Sequence, residues 1–342
     1  MKPSATHRKW ALGVVTAIVT LLVLGSVFEQ IGQRRDRQRY PQIGRSVDIG
    51  GRTLNIFCSG EGAPAVIFDT YGHGAGYSWH ALQSEAAKFT RACWYDRAGY
   101  GWSDPAPMPR TFQMVASDLH QLLHAADVPP PYILVGGGDA ASHIRVYHGF
   151  YPAEVAGVVM VNANDVDEKD TEIPESAKGA WAKHFGSFAP RVRGAACLAF
   201  PLLAHTGLVR LAGLFQGDRR TDSLNLTSKE QTMLDFLSDN PTAQRGSELC
   251  ARETSMEQVQ AAGNLGDVPL IVIATAGRMP AAASAERAAA AAWNKHQAEQ
   301  VQPRLAALSS RGRLVLLGDD VTANVILDAI REIVDRPATP RP

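Results

Sequence analysis

Short apolar runs alternate with amphipathic stretches along the chain from about residue 45 onward. The apolar runs contain few polar interruptions, which is typical of parallel strands that are covered on both faces. They lie at 65–68, 92–95, 132–135 and 155–161 and, after a long gap, at 269–274 and 313–317. Helical periodicity occupies 78–89, 111–126 and 140–151. This order predicts an α/β domain with a mostly parallel sheet and helices on both faces.

A hairpin is predicted at 46–58, with its turn at Gly50-Gly51. Together with the strand and helix pattern, it places the core of the domain at 45–165 and 265–336. Residues 337–342 are rich in proline and are expected to form a flexible tail.

The strand-like signal stops between the two parts of the core, and we expect a helical cap at 166–264. Within it, the stretch 195–215 is apolar enough to raise the alternative of a second membrane span. Pro201, His205 and Arg210 disfavour that alternative, because such residues are costly in a helix surrounded by lipid. A cap whose apolar face rests on the membrane surface is the preferred interpretation.

An uncharged apolar run covers residues 10–28. A helix of that length extends about 28 Å, close to the thickness of the hydrocarbon core of a bilayer. We therefore expect a single-pass transmembrane helix that anchors the protein in the lipid bilayer, preceded by the segment 1–9 and followed by a polar stalk at 29–44. A cleaved signal peptide is the alternative, although no A-x-A-like site follows the run. Positive charges balance on its two sides, so the orientation stays open.

Composition and charge exclude several classes of function. The 342 residues include 34 Lys and Arg and 34 Asp and Glu, which give a formal net charge of zero. The basic residues are scattered, so the chain lacks the basic stripe that nucleic-acid binding requires. His143 and His148 lie five residues apart and would not share one helix face for a metal. We expect no nucleic-acid partner, no metal and no cofactor.

Four cysteines lie far apart and form no C-x-x-C pair, so neither a zinc site nor a redox motif is predicted. We expect them to be buried free thiols. The alternative is a disulfide between Cys197 and Cys250, which both fall in the inserted segment.

Three motifs carry a resemblance to a known family. The run Tyr95-Asp96-Arg97-Ala98-Gly99-Tyr100-Gly101-Trp102-Ser103 resembles the Y-D-R-x-G-x-G-x-S turn of the α/β-hydrolase superfamily, and Asp96 and Arg97 are expected to hold this turn through local hydrogen bonds. The segments 143–147 and 151–157 resemble the R-x-Y and Y-P-x-x-V-x-G motifs of that superfamily. The likeness is strongest to its membrane-anchored bacterial members. It implies that Gly72, His73 and Gly74 belong to the oxyanion-hole loop, on the floor of a pocket.

The resemblance fails at the nucleophile. Members of the superfamily place a serine on a sharp strand-to-helix turn. The gapless alignment, which Tyr132 and Arg145 fix from both sides, puts Gly138 at that position and Gly137 at the preceding one. Glycine has no nucleophilic atom, and it adopts a positive φ at little cost, so the turn would lose strain of about 1–3 kcal/mol. The substitution is expected to abolish acylation.

The base and the acid also depart from the pattern. The loop after the last strand reads Gly318-Asp319-Asp320-Val321-Thr322, and no histidine follows His296. A serine or aspartate nucleophile needs an imidazole to accept a proton or to activate water. Asn162 occupies the expected place of the acid, and Asp165 is an alternative that needs a small shift.

Asp139 is the alternative nucleophile, because the run 137–141 has the small-x-nucleophile-x-small pattern of the dehalogenase and epoxide hydrolase branches. The competing interpretation is that Asp139 begins the following helix, where the helix dipole favours a carboxylate. Ser142 lies a turn further into the helix and is a weaker candidate.

Two hypotheses follow from these departures. In the first, the protein is a non-hydrolytic pseudoenzyme. Its pocket, with Gly138, Asp139, His73 and Gly74 at the floor, binds a small apolar or ester-like ligand, or its surface binds another protein. In the second, it is a hydrolase of small ester, lipid or halide substrates that uses Asp139 or another noncanonical residue. Fold alone does not decide between them.

Overall fold

The computed structural model describes residues 5–70, 75–165, 206–208, 247–248, 250–277, 287–318 and 321–335. These residues form an eight-stranded sheet in the order β1-β2-β4-β3-β5-β6-β7-β8. The strands are β1 (Arg45–Asp48), β2 (Thr53–Ser59), β3 (Ala65–Asp69), β4 (Ala92–Tyr95), β5 (Tyr132–Gly137), β6 (Val155–Val161), β7 (Leu270–Thr275) and β8 (Gly312–Leu317). Strand β2 pairs antiparallel with β1 and β4. From β4 through β8 all pairs are parallel. The predicted mostly parallel sheet is confirmed.

The hairpin at the start of the domain is also confirmed. Its turn passes through Gly50 and Gly51, whose φ angles are +97° and +90°. Only glycine adopts such angles without strain. The backbone N–H groups of both glycines donate to the Asp48 carboxylate at 2.9 Å, which satisfies them within the turn.

The helices cover both faces of the sheet. They are α1 (Ala5–Arg39), α2 (His80–Ala86), α3 (Phe112–Ala125), α4 (Ala140–Phe150), α5 (Arg252–Ala262), α6 (Arg287–His296), α7 (Gln302–Ala306) and α8 (Ala323–Val334). A π-helical turn, Gln297–Val301, joins α6 to α7. Helices α3, α4 and α7 contribute to the core on one face of the sheet, and α2 and α8 contribute to the core on the other.

The burial of β3 on both faces explains why apolar and polar residues do not alternate along this strand. Ile67 belongs to the core on the α3 and α4 face, and Val66 and Phe68 belong to the core on the α2 and α8 face. All five residues of the strand are buried. An apolar side chain is therefore needed at successive positions, as in other parallel sheets.

Among the residues that the structure describes, one helix, Leu12–Arg35, is long and apolar enough to cross a membrane, and a signal sequence would meet the same requirement. Helix α1 continues beyond the apolar run to Arg39, so most of the predicted polar stalk is helical. The helix meets the domain at its end, where the Trp102 indole N–H donates to the Tyr40 carbonyl at 3.2 Å.

A second contact joins α1 to the inserted segment. Gly25 packs so closely on Thr206 that a Cβ at Gly25 would clash with the Thr206 carbonyl. Gly207 in turn approaches the Gly25 carbonyl and the ring of Phe28. The other described part of the predicted cap is near its end, where α5 packs against α3 and α4.

The expectation of free thiols is wrong. Cys58 of β2 and Cys93 of β4 form a disulfide. They are direct partners in the antiparallel register, with Cα atoms 4.1 Å apart, which brings the two sulfurs within bonding reach. Cys250 is also disulfide-bonded. Cys197, its predicted partner, lies outside the described residues.

Candidate functional site

The chain makes a sharp turn between β5 and α4, at the position where the family resemblance places a nucleophile. Gly138 occupies the apex with a φ of +54°. Its N–H donates to the Val161 carbonyl at 3.3 Å, and its carbonyl accepts from the N–H of Asn164 at 3.1 Å. The turn therefore keeps a left-handed apex and is tied to the end of β6, while the apex residue is buried and has no side chain.

Asp139 follows at the N-cap position of α4 and makes no side-chain cap hydrogen bond. Its carboxylate instead accepts from the Asn164 amide at 2.9 Å. In the part of the chain that the structure describes, no imidazole hydrogen-bonds to this carboxylate. Asp139 thus begins the helix, as one interpretation predicts, and its side chain is held toward the end of β6.

The two candidate acids are both engaged in structural contacts. Asn162 has a φ of +45°, and its amide oxygen accepts from the backbone N–H of Thr275 at 2.9 Å, which joins the ends of β6 and β7. Asp165 forms an ion pair with Arg304, with 2.7 Å between Oδ2 and Nε, and its side chain is 2% exposed. Gly72, His73 and Gly74, like Asp319 and Asp320, lie outside the described residues.

A buried charged cluster lies at the carboxyl end of β3, and no motif of the sequence predicts it. Asp69 is the last residue of β3 and is in register with Gly136 of β5, two residues before the apex. Its Oδ2 lies 2.8 Å from Nδ1 of His143, on α4. Its Oδ1 lies 3.3 Å from Nη1 of Arg97, which also donates to the Thr70 carbonyl at 3.0 Å. The three side chains are between 1% and 7% exposed.

The cluster keeps its charges in spite of its burial. Burial raises the pKa of the Asp69 carboxyl, but His143 and then Arg97 outweigh burial and hold this pKa below its ordinary value. Burial similarly opposes the charge on Arg97, and the neighbouring Asp69 and Glu248 more than compensate and raise the pKa of the guanidinium. Beside them, burial and the Asp69 charge raise the pKa of the Tyr95 phenol well above its ordinary value. At neutral pH the cluster therefore contains an ionised carboxylate, a guanidinium and a neutral phenol.

Arg97 also connects the cluster to the inserted segment. Its Nε lies 4.0 Å from the Glu248 carboxylate, and the Tyr100 hydroxyl donates to the other Glu248 oxygen at 2.8 Å. Arg97 therefore joins β3 to the insertion. The sequence predicts that Asp96 and Arg97 together hold their turn. The Asp96 carboxylate accepts from the N–H groups of Gly76 at 2.7 Å and Trp102 at 3.0 Å, and the Arg97 guanidinium lies over the Tyr100 ring, 5.1 Å from its centroid.

The His143 imidazole has a fixed orientation. An ionised carboxylate only accepts hydrogen bonds, so Nδ1 of His143 donates to Asp69, and Nε2 is the acceptor in the neutral ring. Asp139 and His143 lie four residues apart, at the start of one helix, and such positions share a helix face. The Asp139 carboxylate is bonded to Asn164, while His143 is bonded to Asp69.

A second group of residues is also absent from the sequence-based expectations. His120 and His124 of α3 lie around the Glu154 carboxylate, which directly precedes β6. The four-residue spacing of the histidines is visible in the sequence. The carboxylate, 30 residues further along, is not signalled by any local pattern.

Two curated relatives match parts of the chain. An uncharacterised protein of Schizosaccharomyces pombe is 34% identical over 135 residues, which are 39% of this chain and 22% of the relative. The uncharacterised protein YbdG of Bacillus subtilis is 26% identical over 154 residues, 44% of this chain and 47% of the relative. The matches therefore span less than half the length of these relatives. No family model matches the chain.

Solved structures match over most of the chain. DBJA has a TM-score of 0.60 at 14% identity and covers 85% of this chain and 96% of its own. A lipase-like protein of Acinetobacter baumannii has a TM-score of 0.55 at 14% identity and covers 90% and 93%. Identities this low establish the fold alone. The strand order, the turn at Gly138 and these similarities agree, and the chain has the fold of the α/β-hydrolase superfamily.

Proposed function

We propose that this protein is a membrane-anchored, non-hydrolytic binding protein with an α/β-hydrolase fold, and that its pocket takes a small apolar or ester-like molecule. The observation that carries the proposal is Gly138. The apex retains the left-handed conformation that exposes a nucleophile in the fold's enzymes, but it has no atom that can attack a carbonyl.

The turn retains groups that would bind a carbonyl oxygen. The first N–H groups of any helix have no partner within that helix. At the start of α4 these donors adjoin Gly138, as the oxyanion donors of the fold's enzymes adjoin the nucleophile. Without acylation, the same donors would hold an ester or carbonyl ligand without cleaving it.

The test uses full-length protein in detergent. We expect no labelling by a fluorophosphonate probe and no turnover of short nitrophenyl esters. We also expect saturable binding of a non-hydrolysable ester analogue, measured as a rise in the thermal midpoint. Covalent labelling, or ester turnover that disappears in Asp139→Ala, would overturn the proposal.

A hydrolase that uses Asp139 is the second candidate, and the buried Asp69–His143 pair favours it. In this reaction the Asp139 carboxylate displaces a halide from an alkyl carbon and forms an ester. Water, losing a proton to Nε2 of His143, then attacks the carboxyl carbon of that ester and releases the alcohol. One oxygen of the water stays in Asp139. A single turnover in ¹⁸O-labelled water, followed by peptide mass analysis, detects that oxygen directly.

The disulfide supports a location for the domain. Bonds of this type persist in oxidising compartments. We propose that α1 is an uncleaved anchor and that the domain lies on the extracytoplasmic side. The flanking positive charges are balanced and do not decide this orientation.

A further inference from the structure

We propose that His120, His124 and Glu154 form a binding site for a divalent transition-metal cation of the Zn²⁺ type. The two histidines lie on α3, one helical turn apart, and Glu154 ends the short 3₁₀ turn Pro152–Glu154 before β6. One ligand atom from each residue lies within 4.8 Å of the others. Two imidazoles and a carboxylate are a common ligand set for zinc.

The distances agree with those around a tetrahedral ion. Nδ1 of His120 lies 3.2 Å from one Glu154 oxygen, and Nε2 of His124 lies 3.0 Å from the other. Ligands bound at about 2.0–2.2 Å in tetrahedral geometry are separated by roughly 3.3–3.5 Å. Each imidazole nitrogen lies beside a different Glu154 oxygen, and the ligand atoms are within 4.8 Å of one another. A cation held by all three residues therefore requires only a local rearrangement of these side chains, and it replaces the protons that now lie between them.

Neighbouring tyrosines hold the ligands in place. The His120 ring stacks on Tyr151, with 3.9 Å between centroids and 2° between planes. The Tyr147 hydroxyl donates to Glu154 at 2.5 Å, and such outer contacts orient the ligands of metal sites.

The position of the cluster indicates a structural role for the cation. Glu154 precedes β6, whereas Gly138 follows β5, and parallel strands place these points at opposite edges of the sheet. A cation there would join α3 to the connection between α4 and β6. The His124 side chain is 50% exposed, which leaves a path for the ion and for a water in the fourth position.

The alternative is that the three side chains are only hydrogen-bonded to one another and bind no metal. To distinguish them, full-length protein in detergent, free of any purification tag and stripped with a chelator, is titrated with ZnCl₂ by calorimetry. We expect one Zn²⁺ per chain and a rise in the thermal midpoint. His124→Gln is expected to weaken binding at least tenfold and to remove the thermal shift, while His148→Gln, which deletes a histidine outside the cluster, retains both.

Glu154→Gln and a spectroscopic signal complete the test. Glu154→Gln keeps the size of the ligand and removes its charge, and we expect a similar loss of Zn²⁺ affinity. Co²⁺ in the wild-type site should give the intense visible absorption of a tetrahedral ion, and His124→Gln should abolish it. His124 is half exposed, so that variant should fold even if Glu154→Gln does not. Absence of Zn²⁺ binding, or equal binding by wild type and His124→Gln, would show a hydrogen-bonded group only.

Discussion

Nδ1 of His143 lies 2.8 Å from Oδ2 of Asp69, so the first turns of α4 are joined to the end of β3 by a buried hydrogen bond. Nη1 of Arg97 lies 3.3 Å from the other oxygen of the same carboxylate. Removal of the carboxylate charge would take from the buried guanidinium the carboxylate that most strongly compensates its charge, while Glu248 stays 4.0 Å from Nε. Such a loss usually costs about 3–5 kcal/mol.

We therefore expect Asp69→Asn to lower the free energy of unfolding by about 3 kcal/mol or more, as measured by urea denaturation. Asp328→Asn is the matched control, because Asp328 is 75% exposed and contacts Arg331 at 3.9 Å. Exposed ion pairs of this kind contribute about 0–1 kcal/mol. Equal effects of the two substitutions would mean that the buried cluster does not stabilise the fold.

Asp96 gives the fold a specific pH dependence. Burial outweighs the hydrogen bonds to this carboxyl and raises its pKa from 3.8 to about 6. Between about pH 4 and 6 the unfolded chain has released the proton that the folded chain retains, so the contribution of Asp96 to stability falls as the pH rises. The full change is about 3 kcal/mol.

The comparison of wild type with Asp96→Asn isolates this contribution, because the asparagine does not titrate. We expect the stability advantage of the wild type to be larger at pH 4.5 than at pH 7.5, by about 2 kcal/mol. Urea denaturation at the two pH values measures it. An advantage that stays constant would show that the carboxyl is ionised throughout this range in the folded chain, and one that grows with pH would show that folding lowers its pKa.

Gly138→Ser tests the turn and its chemistry in one variant. A side chain at a φ of +54° costs about 1–2 kcal/mol, so the thermal midpoint should fall. Esterase activity should stay absent in nitrophenyl ester assays. Gly266→Ser is the control for the backbone cost alone, since Gly266 has a φ of +60° and a Cβ added there would meet no atom of another part of the chain within 4 Å. Robust ester turnover by Gly138→Ser would mean that a general base is already in place.

The disulfide between β2 and β4 closes a loop of 35 residues. Constraint of the unfolded chain by such a loop contributes about 4 kcal/mol. We expect the double variant Cys58→Ala, Cys93→Ala to unfold at a markedly lower urea concentration.

If the domain is exported, protease added to spheroplasts of a bacterial host should digest the domain and leave α1 protected. Full protection of the domain would place it in the cytoplasm.

The sequence predicts the strands of the sheet well, but it does not predict the side-chain contacts at their carboxyl ends. The run at 65–68 is recognisable because its residues are apolar, and β3 extends one residue further, to Asp69. That polar residue ends the apolar signal and is also the centre of the buried cluster. Its partner His143 is 74 residues away in the chain, and only the packing of α4 on the sheet brings the two together.

The disulfide illustrates a similar limit. Cys58 and Cys93 become neighbours because β2 pairs with β4, while β3, which lies between them in the sequence, is displaced to the far side of β4. Strand order is a tertiary property that local periodicity does not encode. The turn at Gly138 can be located from the sequence because its position depends on a single strand and the helix that follows it.

The tight packing of Gly25 on Thr206 has a consequence for how a ligand reaches the domain. Gly25 lies within the apolar run that we propose to be embedded in the bilayer, so the contact would hold Thr206 at the membrane. An apolar molecule that partitions into lipid would then reach this part of the insertion by lateral diffusion.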